Sequence, residues 1–203
     1  MTPVRLTLSL LMLCGLAAGP AQADVQAMVA GCDGCHGPDG VSTSTDMPTI
    51  AGISEFVHSD ALFVYADGAR PCQQSKYLHG DTSRPATDMC KIAAAMNEAD
   101  MEAIAQYYAG KPFVAAKQQT NAALVAAGKE IHDNSCEKCH TEGGTVAEDD
   151  ASILGGQQMG YLRRTFTEYA AGDREQPRSM KSAMDKLSKE DTEALVHFYA
   201  SQQ

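Results

Sequence analysis

Two stretches of the chain place apolar residues at helical spacing around a polar start signal. Ser188 and Asp191 have the spacing of a capping box, and Asn97 and Asp100 repeat it earlier in the chain. The apolar residues recur every three or four positions, which predicts one buried face of an amphipathic helix. They are Met101, Ile104, Ala105 and Tyr108 in the first stretch, and Leu187, Leu195, Val196 and Tyr199 in the second.

The remaining pattern also favours helices. Residues 26–31 and 122–133 are helical in pattern, glycine and proline fill the regions between helices, and no stretch alternates as a strand does. Lys111-Pro112 is predicted to end the preceding helix and to lie in a linker over residues 110–119. We therefore predict an all-α protein.

The chain is an internal duplication. Cys-x-x-Cys-His occurs at residues 32–36 and 136–140, and segments downstream of the two motifs match at the same offset. The offset then shortens, so that Met89 meets Met180 and the first copy carries a 13-residue insertion between Arg70 and Met89. Each copy is thus expected to be a self-contained helical unit.

Residues 1–23 have the pattern of an export signal. Arg5 is followed by an apolar stretch over residues 6–16, too short to span a bilayer, and by an Ala-Gln-Ala cleavage site. We expect a mature, periplasmic chain that starts at Asp24, with lipid anchoring through Cys14 as the alternative. No later segment is apolar enough to predict a membrane span.

The chain is acidic, with a formal net charge of −10 that becomes −11 once Arg5 is removed with the signal. This balance argues against binding to nucleic acid or an anionic membrane and favours partners with basic patches, although it can also serve solubility alone.

Cys-x-x-Cys-His is the spacing of covalent c-type haem attachment. Both thiols add to the vinyl groups of one haem, and the adjacent histidine reaches the iron. Cys32 and Cys35 with His36 would hold one haem; a second would be held by Cys136, Cys139 and His140. A thioredoxin-like dithiol would need a βαβ context, and a shared zinc site would need the two motifs to converge.

The opposite axial ligand should recur in both copies. Of the ten methionines, Met89 and Met180 are the pair that faces each other in register, and Met184 is the nearest competitor for the second iron. Histidine and methionine together raise the potential and leave no open iron site, which favours electron transfer over catalysis. Four further histidines lack a counterpart and are interpreted as ordinary core or surface residues: His58, His79, His132 and His197.

Two cysteines lie at the insertion, and a tyrosine and an arginine that recur in both copies precede it in the first copy. Cys72 within it and Cys90 directly after Met89 are expected to form a disulfide in an oxidising compartment, with free redox-sensing thiols as the alternative. Arg70 and its repeat partner Arg174 either pair with haem propionates or are solvated. Tyr65 and Tyr169, which also match, either line the haem pockets or pack in the core.

These motifs resemble two-domain class I cytochromes c, and the resemblance spans the mature chain. In the c-four group of dihaem cytochromes a Met-x-Gly-x-x-x-x-Leu-Ser segment begins with the iron ligand; residues 180–188 fit it except for Ser182, and residues 89–97 fit more loosely. The resemblance implies two tandem class I domains, each around one haem, over residues 24–115 (with an insertion at 71–88) and 116–203.

The second half is similar to the dihaem subunit of flavocytochrome c sulfide dehydrogenase over residues 136–144, 153–157 and 198–203. That resemblance implies an FAD-containing partner chain and a small soluble electron acceptor. The chain has no G-x-G-x-x-G fingerprint, so it is not itself expected to bind FAD. The alternatives are a free-standing dihaem carrier, a dihaem enzyme such as a peroxidase or thiosulfate dehydrogenase, and a dithiol oxidoreductase.

Overall fold

The structure, a computed structural model, describes residues 21–203, and it describes only the backbone of residues 21–24. The predicted signal features at Arg5, residues 6–16 and Cys14 therefore lie outside the described residues. Over residues 21–203, none of the helices combines the length and apolar character needed to cross a bilayer.

The described chain is helical, as predicted. The first copy contains α1 (Ala21–His36), α2 (Glu55–Ala66), α3 (Met89–Ala94) and α4 (Glu98–Ala109). The second contains α5 (Ala122–Ser135), the single turn α6 (Thr141–Gly144), α7 (Met159–Ala171), α8 (Arg178–Met184) and α9 (Lys189–Ala200). Short 3₁₀ turns span Pro38–Gly40 and Ala147–Asp149. Among residues 21–203, β pairing is limited to one isolated bridge between Ser75 and Thr87.

Side-chain caps fix the starts of the helices that close each copy. The Asn97 side chain accepts a hydrogen bond from the Asp100 amide at the start of α4. Ser188 and Asp191 form a complete capping box at the start of α9. Helix α4 ends at Ala109, just before Lys111-Pro112, as the sequence predicts.

Each copy has a hydrophobic core of its own. Helix α4 packs against α1 and α2 in the first copy, and α9 packs against α5 and α7 in the second. The last-helix tyrosines Tyr108 and Tyr199 are both almost completely buried. The first core comprises Val29, Leu62, Ala93, Met101, Ile104 and Tyr108; the second comprises Met159, Leu162, Leu195, Val196, Phe198, Tyr199 and Ala200.

The duplication extends to individual backbone hydrogen bonds. The Gly52 amide donates to the Tyr108 carbonyl at 2.9 Å, and the Gly156 amide donates to the Tyr199 carbonyl at 2.8 Å. Gly52 and Gly156 both have positive φ, at 71° and 75°, which glycine adopts without strain. These bonds fix the loop after each motif against the last helix of the same copy.

The two copies also contact each other. The Ala116 amide donates to the Gly156 carbonyl at 2.8 Å, so the connection between the copies runs along the second one. Across the interface, the Tyr161 amide donates to the Thr45 carbonyl at 2.9 Å. The Tyr161–Thr45 bond therefore docks the two units through a directed backbone contact.

Candidate functional site

The first Cys-x-x-Cys-His motif occupies the last turn and a half of α1. Cys32 and Cys35 are one turn apart on that helix, so their sulfurs share one face, and His36 ends it. Cys35 and His36 are buried, each 6% exposed, and Cys32 is half-buried. Both thiols are free, which leaves them available to form thioether bonds.

A carbonyl fixes the orientation of the first histidine. His36 Nδ1 lies 2.9 Å from the Pro48 carbonyl oxygen. Because a carbonyl can only accept, Nδ1 carries the proton, and Nε2 keeps the lone pair that a metal requires. Burial lowers the pKa of His36, with Pro48 opposing in part, so the ring is neutral at neutral pH. This is the state in which an imidazole binds iron.

The second motif follows α5 directly. Cys136 caps that helix and is half-buried, whereas Cys139 is exposed. Burial lowers the pKa of His140, and the Ser152 carbonyl, which stands where Pro48 stands in the first copy, opposes that shift. His140 Nδ1 is nevertheless buried without a hydrogen-bond partner of normal geometry, so this ring is less firmly oriented than His36.

Three of the four motif thiols do not have the electrostatics of a dithiol catalyst. Burial raises the pKa of Cys32 to about 11 and also raises the pKa of Cys35 and Cys136. A thioredoxin-like nucleophile needs a lowered pKa to form the thiolate. The arrangement suits covalent attachment of a cofactor, and the free thiols together with the carbonyl-bonded histidine fit a haem.

The proposed methionine ligands lie on corresponding short helices. Met89 is the first residue of α3, is half-buried, and packs against the first hydrophobic core. Met180 is on α8 and is also half-buried. Met184, which is similarly half-buried, lies one turn further along α8, so burial does not distinguish the two candidates for the second iron.

Cys72 and Cys90 form a disulfide with Cα atoms 5.8 Å apart, as expected from the sequence. Cys90 follows Met89 and Cys72 lies near the start of the insertion, so the bond joins the insertion to the helix that begins with the proposed methionine ligand.

A tyrosine-arginine cluster occupies the junction between the two copies. Arg70 stacks on Tyr65 and Arg174 stacks on Tyr169, each with its guanidinium carbon 4.5 Å from the ring centroid. Arg70 also donates to the Tyr161 hydroxyl at 3.1 Å. Arg70 is only 6% exposed, so its interpretation as a solvated arginine is wrong. Pairing of either arginine with a propionate stays a prediction.

His132, predicted to be an ordinary core or surface residue, is completely buried and contacts two polar side chains. Its Nδ1 lies 3.0 Å from the Tyr199 hydroxyl, and its Nε2 contacts the Glu137 carboxylate. His58 is also buried, and burial together with the nearby His36 lowers its pKa to about 4. A departure from the repeat marked His132 in the sequence, because the matching position in the first copy is the apolar Met28.

No protein-family model matches the chain. It is 28% identical to cytochrome c4 of Pseudomonas aeruginosa over 211 residues, covering 96% of both chains. It is also 28% identical to cytochrome c4 of Stutzerimonas stutzeri over 212 residues, covering 96% of this chain and 97% of the relative.

Solved structures show the same architecture. Reduced recombinant cytochrome c4 from Pseudomonas stutzeri superposes with a TM-score of 0.70 at 26% identity, over 90% of this chain and 98% of that one. Thiosulfate dehydrogenase TsdBA from Marichromatium purpuratum superposes with a TM-score of 0.67 at 22% identity, over 84% of this chain and 36% of that one. The chain therefore has an all-α fold of two tandem class I cytochrome c domains.

Proposed function

We propose that this chain is an exported dihaem c-type cytochrome that transfers electrons and does not transform a substrate. The observation that carries the proposal is the pair of Cys-x-x-Cys-His motifs at the same place in two copies of one fold, with free thiols in both. The likeness to cytochrome c4 over nearly the whole length supports it.

Each domain would hold its haem with residues of its own. The thiols Cys32 and Cys35, or Cys136 and Cys139 in the second domain, would each add across a vinyl group, which forms a carbon-sulfur bond and places the hydrogen on the other vinyl carbon. When bound, the haem iron supplies reversible one-electron chemistry. The iron would be held by His36 and Met89 in the first domain, and by His140 and Met180 in the second.

The protein would set the potential and exclude side reactions. Two protein ligands on each iron would leave no position for oxygen or peroxide, and a thioether sulfur would raise the potential. The apolar cores beside the motifs limit the solvent reorganisation that accompanies a change of charge. These are the properties of an electron carrier.

We further propose that the boundary between the two domains lies between residues 115 and 116.

For the physiological role, we propose a cytochrome subunit that accepts electrons from an FAD-containing sulfide dehydrogenase chain and passes them to a small soluble acceptor. The similarity of residues 136–144, 153–157 and 198–203 to the cytochrome subunit of that flavocytochrome supports this role. A free-standing periplasmic carrier is the second candidate, and the end-to-end match with cytochrome c4 favours it.

Purification of the mature protein from the periplasm tests both levels of the proposal. The expected mass is that of residues 24–203 plus two haems, and Cys136→Ala with Cys139→Ala should remove the mass of one haem. The matched control, Cys72→Ser with Cys90→Ser, should keep both. A mass equal to the polypeptide alone would exclude the function. A copurifying yellow chain with bound FAD would identify the flavocytochrome, and its absence after cross-linking in cells would favour the free carrier.

A further inference from the structure

The insertion of the first domain, residues 71–88, lies across its haem-attachment turn; we call it the strap. The amides of Leu78 and His79 both donate to the Gly34 carbonyl, at 2.7 and 3.0 Å. Gly34 lies between the two attachment cysteines, and a Cβ atom there would come within 2.8 Å of the Tyr77 ring. Cys35 Sγ in turn faces the Lys76 carbonyl at 3.8 Å.

The strap is held in place by its own contacts. The Cys72–Cys90 disulfide closes its base. Ser75 and Thr87 exchange two backbone hydrogen bonds, of 2.7 and 2.9 Å. Arg84 stacks on Tyr77 with its guanidinium carbon 3.9 Å from the ring centroid. A segment with this many internal restraints loses little entropy on remaining closed.

The second domain has no such cover. Thirteen of the strap's 18 residues have no counterpart there, and Cys139 is exposed whereas the matching Cys35 is buried. Lys138, which stands where Gly34 stands in the first domain, is exposed as well. Because a thioether bond would place haem periphery at the cysteine sulfur, that periphery would be open to solvent at Cys139 and covered at Cys35.

We propose that the strap closes the attachment edge of the first domain to redox partners, so that soluble partners exchange electrons at the attachment turn of the second domain. This inference rests on the proposed dihaem function. Each exchange moves one electron between the haem iron and a one-electron centre of the partner, and no bond is made or broken. The strap thereby makes the two domains unequal, with the first haem closed to partners at its attachment edge and the second haem open to them.

The partner is a soluble redox protein with a basic docking face. Asp133, Glu137 and Glu142 line one hollow beside the second attachment turn. Lys129 in that hollow is paired with Asp133 at 2.7 Å. Glu137, which also contacts His132, and exposed Glu142 therefore leave the hollow itself net negative, with exposed Lys138 beside it on the attachment turn. In a chain with net charge −10, this surface attracts a cationic partner and steers its approach.

Matched charge reversals on the holoprotein test the assignment, with a small basic mitochondrial-type cytochrome c as the probe. Glu142→Lys alters the open turn, and Asp81→Lys makes the same change at an exposed position on the strap. At low ionic strength we expect Glu142→Lys to weaken probe binding, measured by NMR shifts, and to slow electron exchange, each by about threefold or more. Asp81→Lys should leave both unchanged. An effect from Asp81→Lys and none from Glu142→Lys would overturn the proposal.

Hydrogen exchange tests the closure of the strap over the first attachment turn independently of any partner. The Leu78 and His79 amides should be protected in the holoprotein and lose protection in Cys72→Ser/Cys90→Ser or in Tyr77→Ala, which keeps the disulfide. Either variant should then exchange electrons with the probe faster than the parent. Two results would refute the role of the strap. One is rapid hydrogen exchange at both amides in the parent, and the other is an unchanged electron-exchange rate after protection is lost. A preparation without two haems would instead refute the proposed function.

Discussion

Thr49 and Gln157 exchange two hydrogen bonds across the junction between the domains. The Thr49 amide donates to Gln157 Oε1 and Gln157 Nε2 donates to the Thr49 carbonyl, both at 2.9 Å. Thr49 is fully buried and Gln157 is 1% exposed. The Gln157 side chain therefore provides hydrogen-bond partners for a buried backbone amide and carbonyl that water cannot reach.

Replacing Gln157 with alanine should destabilise the docked pair of domains by about 1–3 kcal/mol, because it leaves the buried Thr49 amide and carbonyl without partners. The measurement is the unfolding free energy from denaturant titration of the holoprotein. Gln106→Ala, at an exposed position on α4, is the control and should change stability by less than about 0.5 kcal/mol. Equal effects of the two substitutions would show that the Thr49–Gln157 pair contributes no net stability.

The crossing of α5 and α9 depends on a missing side chain. A Cβ atom at Gly128 would lie 2.1 Å from the Ala194 carbonyl oxygen and 2.7 Å from Phe198 Cβ. Gly128→Ala should therefore push the helices apart and cost about 1–3 kcal/mol in thermal or denaturant unfolding. Gly31→Ala on α1 is the matched change, with no atom within 4 Å of the new Cβ. It should stabilise the helix by about 0.5–1 kcal/mol, and destabilisation by both would contradict the packing argument.

The methionine ligands can be identified by the far-red methionine-iron charge-transfer band of the oxidised protein. Met89→Ala and Met180→Ala should each remove about half of the band, because one iron of two loses its thioether, and should lower one potential. Met184→Ala tests the alternative for the second iron and should leave the band intact. Loss of the band in Met184→Ala with retention in Met180→Ala would transfer the ligand role to Met184.

The features predicted well from the sequence depend on residues close together in the chain or on motifs that recur in both copies. The caps at Asn97 and Ser188 need only neighbours three residues away, so their patterns were sufficient to place α4 and α9. The attachment motifs were readable because covalent chemistry fixes their spacing. The Cys72–Cys90 disulfide was predicted because Cys72 lies within the insertion and Cys90 directly follows Met89, in a chain expected to be exported.

What the sequence missed lies where the two copies meet or differ. Gln157 and Tyr161 stand where the first copy has Ile53 and Val57. Contacts across the junction depend on the relative orientation of the domains, and residues within one copy do not determine that orientation. The departures from the repeat were nevertheless visible, because both replace an apolar residue with one that can make hydrogen bonds. Polar substitution in one copy of a duplication is thus a usable signal for the interface.

Tyr161 should make the stability of the docked domains depend on pH. Burial alone would raise the pKa of its phenol, but the charges of Arg70 and Arg174 and the Arg70 hydrogen bond lower it to about 7. The unfolded chain has the ordinary pKa near about 10. Because the folded pKa is the lower one, the phenolate adds stability that is complete above about pH 10 and is lost as the pH falls through about 7.

The stability difference between the parent and Tyr161→Phe should therefore grow by about 1–3 kcal/mol between about pH 6 and about pH 9. The measurement is denaturant unfolding of both holoproteins at each pH, with the phenolate absorbance of the parent titrated in parallel. Tyr107→Phe is the control, since that ring faces Lys111, 4.5 Å from its centroid, and not the two arginines. A difference that is the same at both pH values would mean that the arginines do not hold Tyr161 as a phenolate, and that its contribution to docking is that of a neutral hydrogen-bond acceptor.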